Sequence, residues 1–164
     1  MRPVPEFDPK SWLLKALRET AHAMEAIVWN ADEAVLDDAP MEGEWSARTL
    51  LSHMSEMERR FHQRLERMVS LDSPAIDAFD ADSIEAQHVA SQDVFDAIDD
   101  FGSMRQQTVY LLWSLDDGDW QRTGTHPYLG PLTVMQVARE MNEHDLAHLW
   151  QLRRTCDALT AASV

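Results

Sequence analysis

Cysteine, glycine and long apolar runs are scarce in this 164-residue chain. Its single cysteine, Cys156, excludes an intramolecular disulfide framework and a zinc site built from cysteines. Five glycines and seven prolines are too few for the many turns of a β-sandwich. No apolar stretch approaches the ~18 residues of a membrane-spanning helix, and the N-terminal residues lack the apolar segment of a signal peptide. We therefore expect a cytoplasmic protein that has no membrane partner.

Basic residues are also few, since 14 lysines and arginines accompany 29 aspartates and glutamates, and the formal net charge is −15. A strongly acidic surface repels phosphate backbones, which argues against nucleic acid as a partner. The length predicts one domain over residues 1–164 with a single core. Two early prolines predict an extended arm over residues 1–9, and the last residues predict a frayed tail over 159–164.

Apolar residues recur at helical spacing in four segments. Ser11 is a candidate cap for the first segment, and Pro40 and Gly43 mark its end. Thr133 and Gln136 form a capping-box pattern at the start of the fourth. The second, third and fourth predicted helices cover residues 46–71, 91–115 and 133–158. Four amphipathic helices of similar length predict an all-α four-helix bundle.

Three of the seven histidines lie on or beside apolar faces of these helices. His144 and His148 are four residues apart and are therefore neighbours on one helix, while His53 belongs to the second helix. Two imidazoles from one helical turn and one from a facing helix can form three corners of a metal site. Histidines four residues apart are also commonly incidental, and a single inward histidine is commonly a hydrogen-bonded core residue. Of the other four, only His126, in the turn before the fourth helix, attracts attention.

Two stretches resemble the DinB/YfiT-like family. GEWSARTLLSHMSEMERRF resembles its second helix, and GTHPYLGPLTVMQVAREMNEHDLAHLWQLRR resembles its fourth helix with the preceding turn. The family pattern His-x-x-x-His-x-x-Gln is matched by His144, His148 and Gln151. The resemblance implies a four-helix bundle that binds a divalent metal ion, often zinc or nickel, through His53, His144 and His148.

The resemblance also implies a function. The chain is similar to metal-dependent transferases that attach low-molecular-weight thiols, such as bacillithiol or mycothiol, to electrophiles. We therefore expect a metal-dependent transferase or hydrolase that acts on a small molecule with such a thiol as co-substrate. A non-catalytic, stress-related metal-binding protein and a thiol-dependent isomerase stay open as alternatives, because no general base or nucleophile stands out in the sequence.

A homodimer is the expected assembly. Members of the family commonly dimerise, and the first helix carries more apolar residues than one stripe requires. These surplus positions are Trp12, Leu13, Ile27 and Trp29. We therefore expect part of the first helix to lie in an interface between two copies of the chain.

The levels of the three histidines predict the topology of the bundle. His53 lies seven residues after Ser46, near the start of its helix, whereas His148 lies ten residues before Ala158. If the second and fourth helices were parallel, His53 would be offset along the bundle by roughly 6 Å from His144 and by roughly 12 Å from His148, which is too far for a shared ion. A metal site therefore predicts an up-down-down-up bundle, in which the long connection over 72–90 is the crossover between helices two and three.

Two charged residues interrupt the apolar stripes. Arg105 falls in the middle of the third helix's stripe, and Asp145 falls in the middle of the fourth's. Buried charges are commonly paired, so one interpretation is a structural ion pair. Alternatively, Asp145 orients a ligand histidine, or Arg105 receives a carboxylate of the substrate or thiol. Three further acidic residues are predicted to lie on solvated faces: Glu56, Glu58 and Glu140.

Overall fold

The computed structural model describes residues 8–78 and 93–162. Four long helices make up most of it: α1 (Pro9–Asn30), α2 (Ala47–Ser70), α3 (Val94–Trp113) and α4 (Val134–Ala162). The predicted four-helix bundle is therefore confirmed. Within the described ranges, no helix combines the length and the apolar character that crossing a membrane requires.

The helix starts show which polar residues cap the backbone. Asp8, not Ser11, caps α1, because its carboxylate accepts from the backbone N–H groups of Lys10 and Ser11 and Pro9 suits the first helical position. The extended arm predicted over 1–9 is wrong at Pro9, which begins α1, and residues 1–7 lie outside the described part. Ser46 caps α2 as predicted. The capping box of α4 is present too, since the Gln136 backbone N–H donates to Thr133 Oγ1 at 3.1 Å.

The ends of the helices differ from the sequence-based expectation. Helix α4 continues to Ala162, so the frayed tail predicted from residue 159 is wrong over the described residues. The Thr160 hydroxyl donates to the carbonyl oxygen of Cys156 at 2.8 Å within this last turn. Helix α1 ends at Asn30, and a separate helical turn, Glu33–Leu36, carries the remainder of its predicted apolar stripe. Residues 79–90 of the predicted crossover lie outside the described ranges.

Two core clusters at opposite ends of the bundle define the directions of the helices. The first end contains the C-terminal part of α1, the N-terminal parts of α2 and α3, and the C-terminal part of α4. The second end contains the N-terminal parts of α1 and α4 and the C-terminal parts of α2 and α3. Helices α1 and α4 therefore run one way and α2 and α3 the other, which confirms the up-down-down-up topology.

A β-hairpin precedes α4 where the sequence predicted only a loop. Strands β1 (Thr123–His126) and β2 (Gly130–Thr133) pair antiparallel, and Ala75 adds a bridge to β1. Gly124 lies so close to the end of α2 that a Cβ atom would stand 2.6 Å from Ile76 Cγ2 and 3.0 Å from Met68 Cγ. The absence of a side chain there allows the hairpin to pack on the bundle.

Candidate metal centre

The three histidines predicted as metal ligands lie together. His53 projects from α2, and His144 and His148 project from successive turns of α4. One ring nitrogen from each lies within 4.8 Å of those of the other two. The Nε2 atoms of His53 and His144 are 3.1 Å apart. His53 is fully buried and His148 is 8% exposed, so the cluster is largely shielded from solvent.

The spacing between His53 and His144 fits a single divalent ion. Two nitrogens bound at about 2.0–2.1 Å with a tetrahedral angle between them lie about 3.3–3.4 Å apart. The observed 3.1 Å between His53 and His144 is within a few tenths of that value. Among the described residues no cysteine, carboxylate or further histidine joins the group. Three imidazoles without a fourth protein ligand are typical of catalytic rather than structural zinc sites, because one position stays open to water or substrate.

Aromatic side chains enclose the cluster. Trp45, which lies just before α2, stacks nearly parallel on His148 with ring centroids 5.9 Å apart, and it lies 5.0 Å from the His53 ring. Phe61 approaches the His144 ring edge-on at 6.0 Å. These rings pack against the imidazoles and cover part of the cluster. Sequence analysis did not assign Trp45 to the site, because its position before α2 does not show that it contacts α4.

Gln151 orients one of the histidines. Its Oε1 atom lies 2.8 Å from His148 Nδ1 and accepts the proton of that nitrogen. The Nε2 atom of His148 therefore carries a lone pair and is available to a metal ion. A hydrogen bond of this kind to the distal nitrogen raises the basicity of a ligand imidazole and fixes its direction.

Gln151→Ala is therefore expected to weaken divalent metal binding about 10–100-fold while leaving the fold intact. Competition with a chromophoric chelator measures the change. Gln136→Ala, at the start of the same helix but outside the cluster, serves as the matched control. Equal metal affinity in Gln151→Ala and the unmodified protein would contradict the orienting role.

Burial disfavours the protonation of His53, and a neutral imidazole can bind a cation. Desolvation, together with the neighbouring His148 and His144, lowers the pKa of His53 from its ordinary value to about 3. Its Nδ1 atom is buried and has no hydrogen-bond partner in the described structure. His53 is therefore neutral at physiological pH, which is the state that binds metal.

The low pKa of His53 predicts acid sensitivity of the metal-free protein. Because the unfolded histidine takes up its proton near pH 6.5, the unfolded state is favoured progressively as pH falls from there toward 3. The loss of unfolding free energy at pH 5 is expected to be about 2 kcal/mol. Urea denaturation across pH measures it, and His53→Asn should remove that dependence whereas His22→Asn, on the exposed face of α1, should not. An unchanged slope in His53→Asn would contradict the assignment.

A buried ion network lies beside the histidines. The Arg105 guanidinium donates to Asp145 Oδ2 at 2.7 Å and to Glu58 Oε2 at 2.6 Å, so the predicted pair exists. Burial alone would raise the pKa of Asp145, but Arg105 and the adjacent His144 hold that pKa below its usual value. Burial likewise opposes the charge of Arg105, yet the two carboxylates raise its pKa. The Asp145 carboxylate is 3.8 Å from His144 Nδ1, beyond hydrogen-bond distance.

The placement of Glu58 on a solvated face was wrong. Glu58 is 1% exposed, pairs with Arg105 and accepts a hydrogen bond from the Thr108 hydroxyl at 2.5 Å. The signal was present, since Glu58 follows Met54 by four residues and precedes Phe61 by three, within the apolar stripe of α2. Glu56 is only partly exposed and pairs with two neighbouring arginines, whereas Glu140 is exposed as predicted.

His126 has a structural role outside the cluster. Its Nδ1 atom accepts the backbone N–H groups of Tyr128 and Leu129, each at 3.2 Å, across the turn of the hairpin. The side chain thereby holds the connection between β1 and β2. The structure does not bring His126 to the three clustered histidines.

Two known proteins are similar in sequence to this chain over most of its length. A candidate metal-dependent hydrolase of Oceanobacillus iheyensis is 23% identical over 145 residues, covering 87% of this chain and 83% of the relative. One of Bacillus cereus is 22% identical over 157 residues, covering 93% and 90%.

Two solved structures share the fold at identities too low to show more than the fold. YfiT of Bacillus subtilis, described as a candidate metal-dependent hydrolase with an unusual four-helix-bundle topology, has a TM-score of 0.73 at 19% identity and covers 94% of this chain and 92% of its own. TT2238, a four-helix-bundle protein, has a TM-score of 0.65 at 20% identity, with coverage of 88% and 98%. The model of the DinB superfamily matches residues 16–152, and the chain belongs to that superfamily.

Proposed function

We propose that this protein is a metal-dependent enzyme that transfers or hydrolyses a group on a small molecule, with a low-molecular-weight thiol of the bacillithiol or mycothiol type as co-substrate. The observation that carries the proposal is the cluster of His53, His144 and His148 without a fourth protein ligand among the described residues. A divalent ion bound there supplies Lewis-acid chemistry and lowers the pKa of a coordinated water or thiol. The names of the relatives favour hydrolysis, and the family resemblance favours thiol transfer.

The residues around the cluster support a role in holding a cation. His53 is kept neutral, and Gln151 sets the direction of the His148 lone pair. Glu58 and Asp145 carry two negative charges against the single positive charge of Arg105, so the buried network has a net charge of −1. Because Asp145 directly follows His144, this excess negative charge lies next to the proposed ion and favours it.

The metal is proposed to be zinc or nickel. Imidazole nitrogens suit both ions, and the geometric argument for a three-nitrogen site applies to either. The thiol co-substrate requires a compartment that keeps thiols reduced, and we place the protein in the cytoplasm for that reason. Cys156 is not the thiol, since it is buried and burial raises the pKa of its side chain.

A substrate panel tests the proposal. Protein loaded with zinc or nickel is mixed with activated esters, amides and alkyl halides, each with and without bacillithiol or mycothiol. Turnover without thiol assigns a hydrolase, and product formed only with thiol assigns a transferase. His144→Ala should abolish either activity, and His22→Ala should retain it.

The alternatives give different results in the same experiment. A non-catalytic metal-binding protein would bind one ion per chain without turnover of any compound. A thiol-dependent isomerase would rearrange its substrate without consuming thiol. Activity that survives in His144→Ala would contradict the proposed site.

A homodimer is part of this proposal. Of the four surplus apolar residues of α1, Leu13 is buried in the core cluster at one end of the bundle, and Ile27 packs against the cluster at the other end. These two residues therefore do not require a partner. Trp12 and Trp29 remain 56% and 58% exposed. We expect a dimer by sedimentation at micromolar concentration and a shift toward monomer in Trp12→Glu. A monomer for the unmodified protein would contradict the dimer.

A further inference from the structure

A groove between α1 and α3 is separate from the histidine cluster. Its volume is about 690 Å³, within the range of small-molecule pockets. Arg105 lies at its floor, and Gly102 lines it on α3. None of the three clustered histidines lines it. The groove is therefore a second place where the protein can receive a ligand.

The two ends of the groove differ in chemistry. Because α1 and α3 run antiparallel, Leu14 lies level with the C-terminal end of α3 and Glu25 with its beginning. The first end is apolar and carries Tyr110 and Trp113, which are 69% and 70% exposed. The second end carries Glu25 and Asp99, both exposed. An amphipathic ligand with a cationic group matches this polarity.

The floor of the groove is formed by a buried arginine whose charge is offset. Arg105 is 2% exposed, and its two terminal nitrogens donate to Asp145, to Glu58 and to the carbonyl oxygen of Leu17. Its guanidinium is therefore engaged with the core beneath the groove. Because two carboxylates offset its charge, the floor does not select for an anionic ligand.

The other ionisable side chains of the groove do not make its charge positive. Arg18 lies on the rim, but it is exposed and within 3.7 Å of Glu19. His22, on the next turn of α1, is also exposed. Glu58 and Asp145 offset the positive charge of Arg105. The two acidic residues at one end of the groove and the overall charge of −15 therefore favour a cationic ligand.

We propose that this groove binds a cationic, amphipathic small molecule. Its apolar or aromatic body lies against Val109, Tyr110 and Trp113, and its positive group lies at Glu25 and Asp99. The site is independent of the proposed metal chemistry.

Berberine is a suitable probe because it is a permanent cation with an aromatic body, and its fluorescence rises in apolar surroundings. Titration of the full-length, metal-free protein is expected to give saturable binding of one molecule per chain. Glu25→Gln/Asp99→Asn is expected to weaken binding about tenfold. Glu33→Gln/Asp72→Asn, which removes two exposed charges elsewhere, should leave it unchanged. 8-Anilinonaphthalene-1-sulfonate, an anion with an aromatic body, should bind more weakly than berberine.

Gly102→Leu tests the location. A Cβ atom at Gly102 would meet nothing within 4 Å, so a leucine side chain starts in open space within the groove, and leucine also favours the helix more than glycine does. This variant should fold normally by circular dichroism and lose berberine binding at least tenfold.

Unchanged berberine binding in Gly102→Leu, no saturable binding at all, or equal binding of the anionic dye would overturn the proposal. Loss of berberine binding as self-association rises would overturn it too, because a second copy of the chain would then occupy the groove. His144→Ala should bind berberine normally, which separates this test from that of the metal site.

Discussion

Arg105→Met is expected to lower the free energy of unfolding by about 3–5 kcal/mol. The substitution removes the only positive charge from a network in which Glu58 and Asp145 are 1% and 2% exposed. Two carboxylates would then remain buried without a counter-ion, and each would have to take up a proton or draw in water. Urea denaturation at neutral pH measures the loss.

The matched control replaces the whole network. Because two carboxylates share one guanidinium, substituting only Arg105 and Asp145 leaves Glu58 buried with Thr108 as its remaining partner. The triple variant Glu58→Leu/Arg105→Met/Asp145→Leu should recover most of the lost stability, since apolar side chains of similar size often replace buried ions at little cost. The three single variants should be strongly non-additive. A fully stable Arg105→Met protein would contradict the structural role of the network and favour a role confined to ligand binding.

His144→Ala and His148→Ala are each expected to lower the affinity for a divalent ion by more than about 100-fold. Removing a partner that merely orients a ligand costs 10–100-fold, and removing a ligand itself costs more. Competition with a chromophoric chelator measures both variants against the unmodified protein, which should bind one ion per chain. Affinity should also fall as the pH is lowered, because protonated imidazole does not bind metal.

His22→Ala and His126→Ala are the matched controls for these variants. The first removes an exposed imidazole from α1, and the second removes one that holds the hairpin turn. Both should retain the affinity of the unmodified protein. Full metal retention in His144→Ala and His148→Ala would remove the three-histidine assignment.

Periodicity was sufficient to predict the bundle, and the levels of the three histidines predicted the direction of its helices. The stripes of the four helices identified their inner faces, and the requirement that His53 meet His148 selected the antiparallel relation of α2 and α4. The inward placement of Arg105 and Asp145 was predicted correctly, where the surrounding apolar pattern was clear, and the ion pair was one of three interpretations left open. Glu58 was misplaced because a glutamate is usually solvated, and its partner lies 47 residues away in sequence.

Local chemistry at the helix ends was less predictable. Asp8 and Ser11 are both good capping residues, and only the backbone geometry decides between them. The hairpin before α4 depends on contact with Ile76 and Met68, which are distant in sequence from Gly124. The stacking of Trp45 on His148 likewise depends on how α2 and α4 pack, so no local pattern could indicate it.

The most direct test of the central claim is an anomalous difference map from crystals of the zinc-loaded protein, measured on both sides of the zinc absorption edge. We predict one peak per chain, at about 2.0–2.1 Å from one ring nitrogen of each of His53, His144 and His148. The map should show no fourth protein ligand, and the remaining coordination should come from solvent. A peak that lies elsewhere, or fully zinc-loaded protein without a peak between these three imidazoles, would contradict the account.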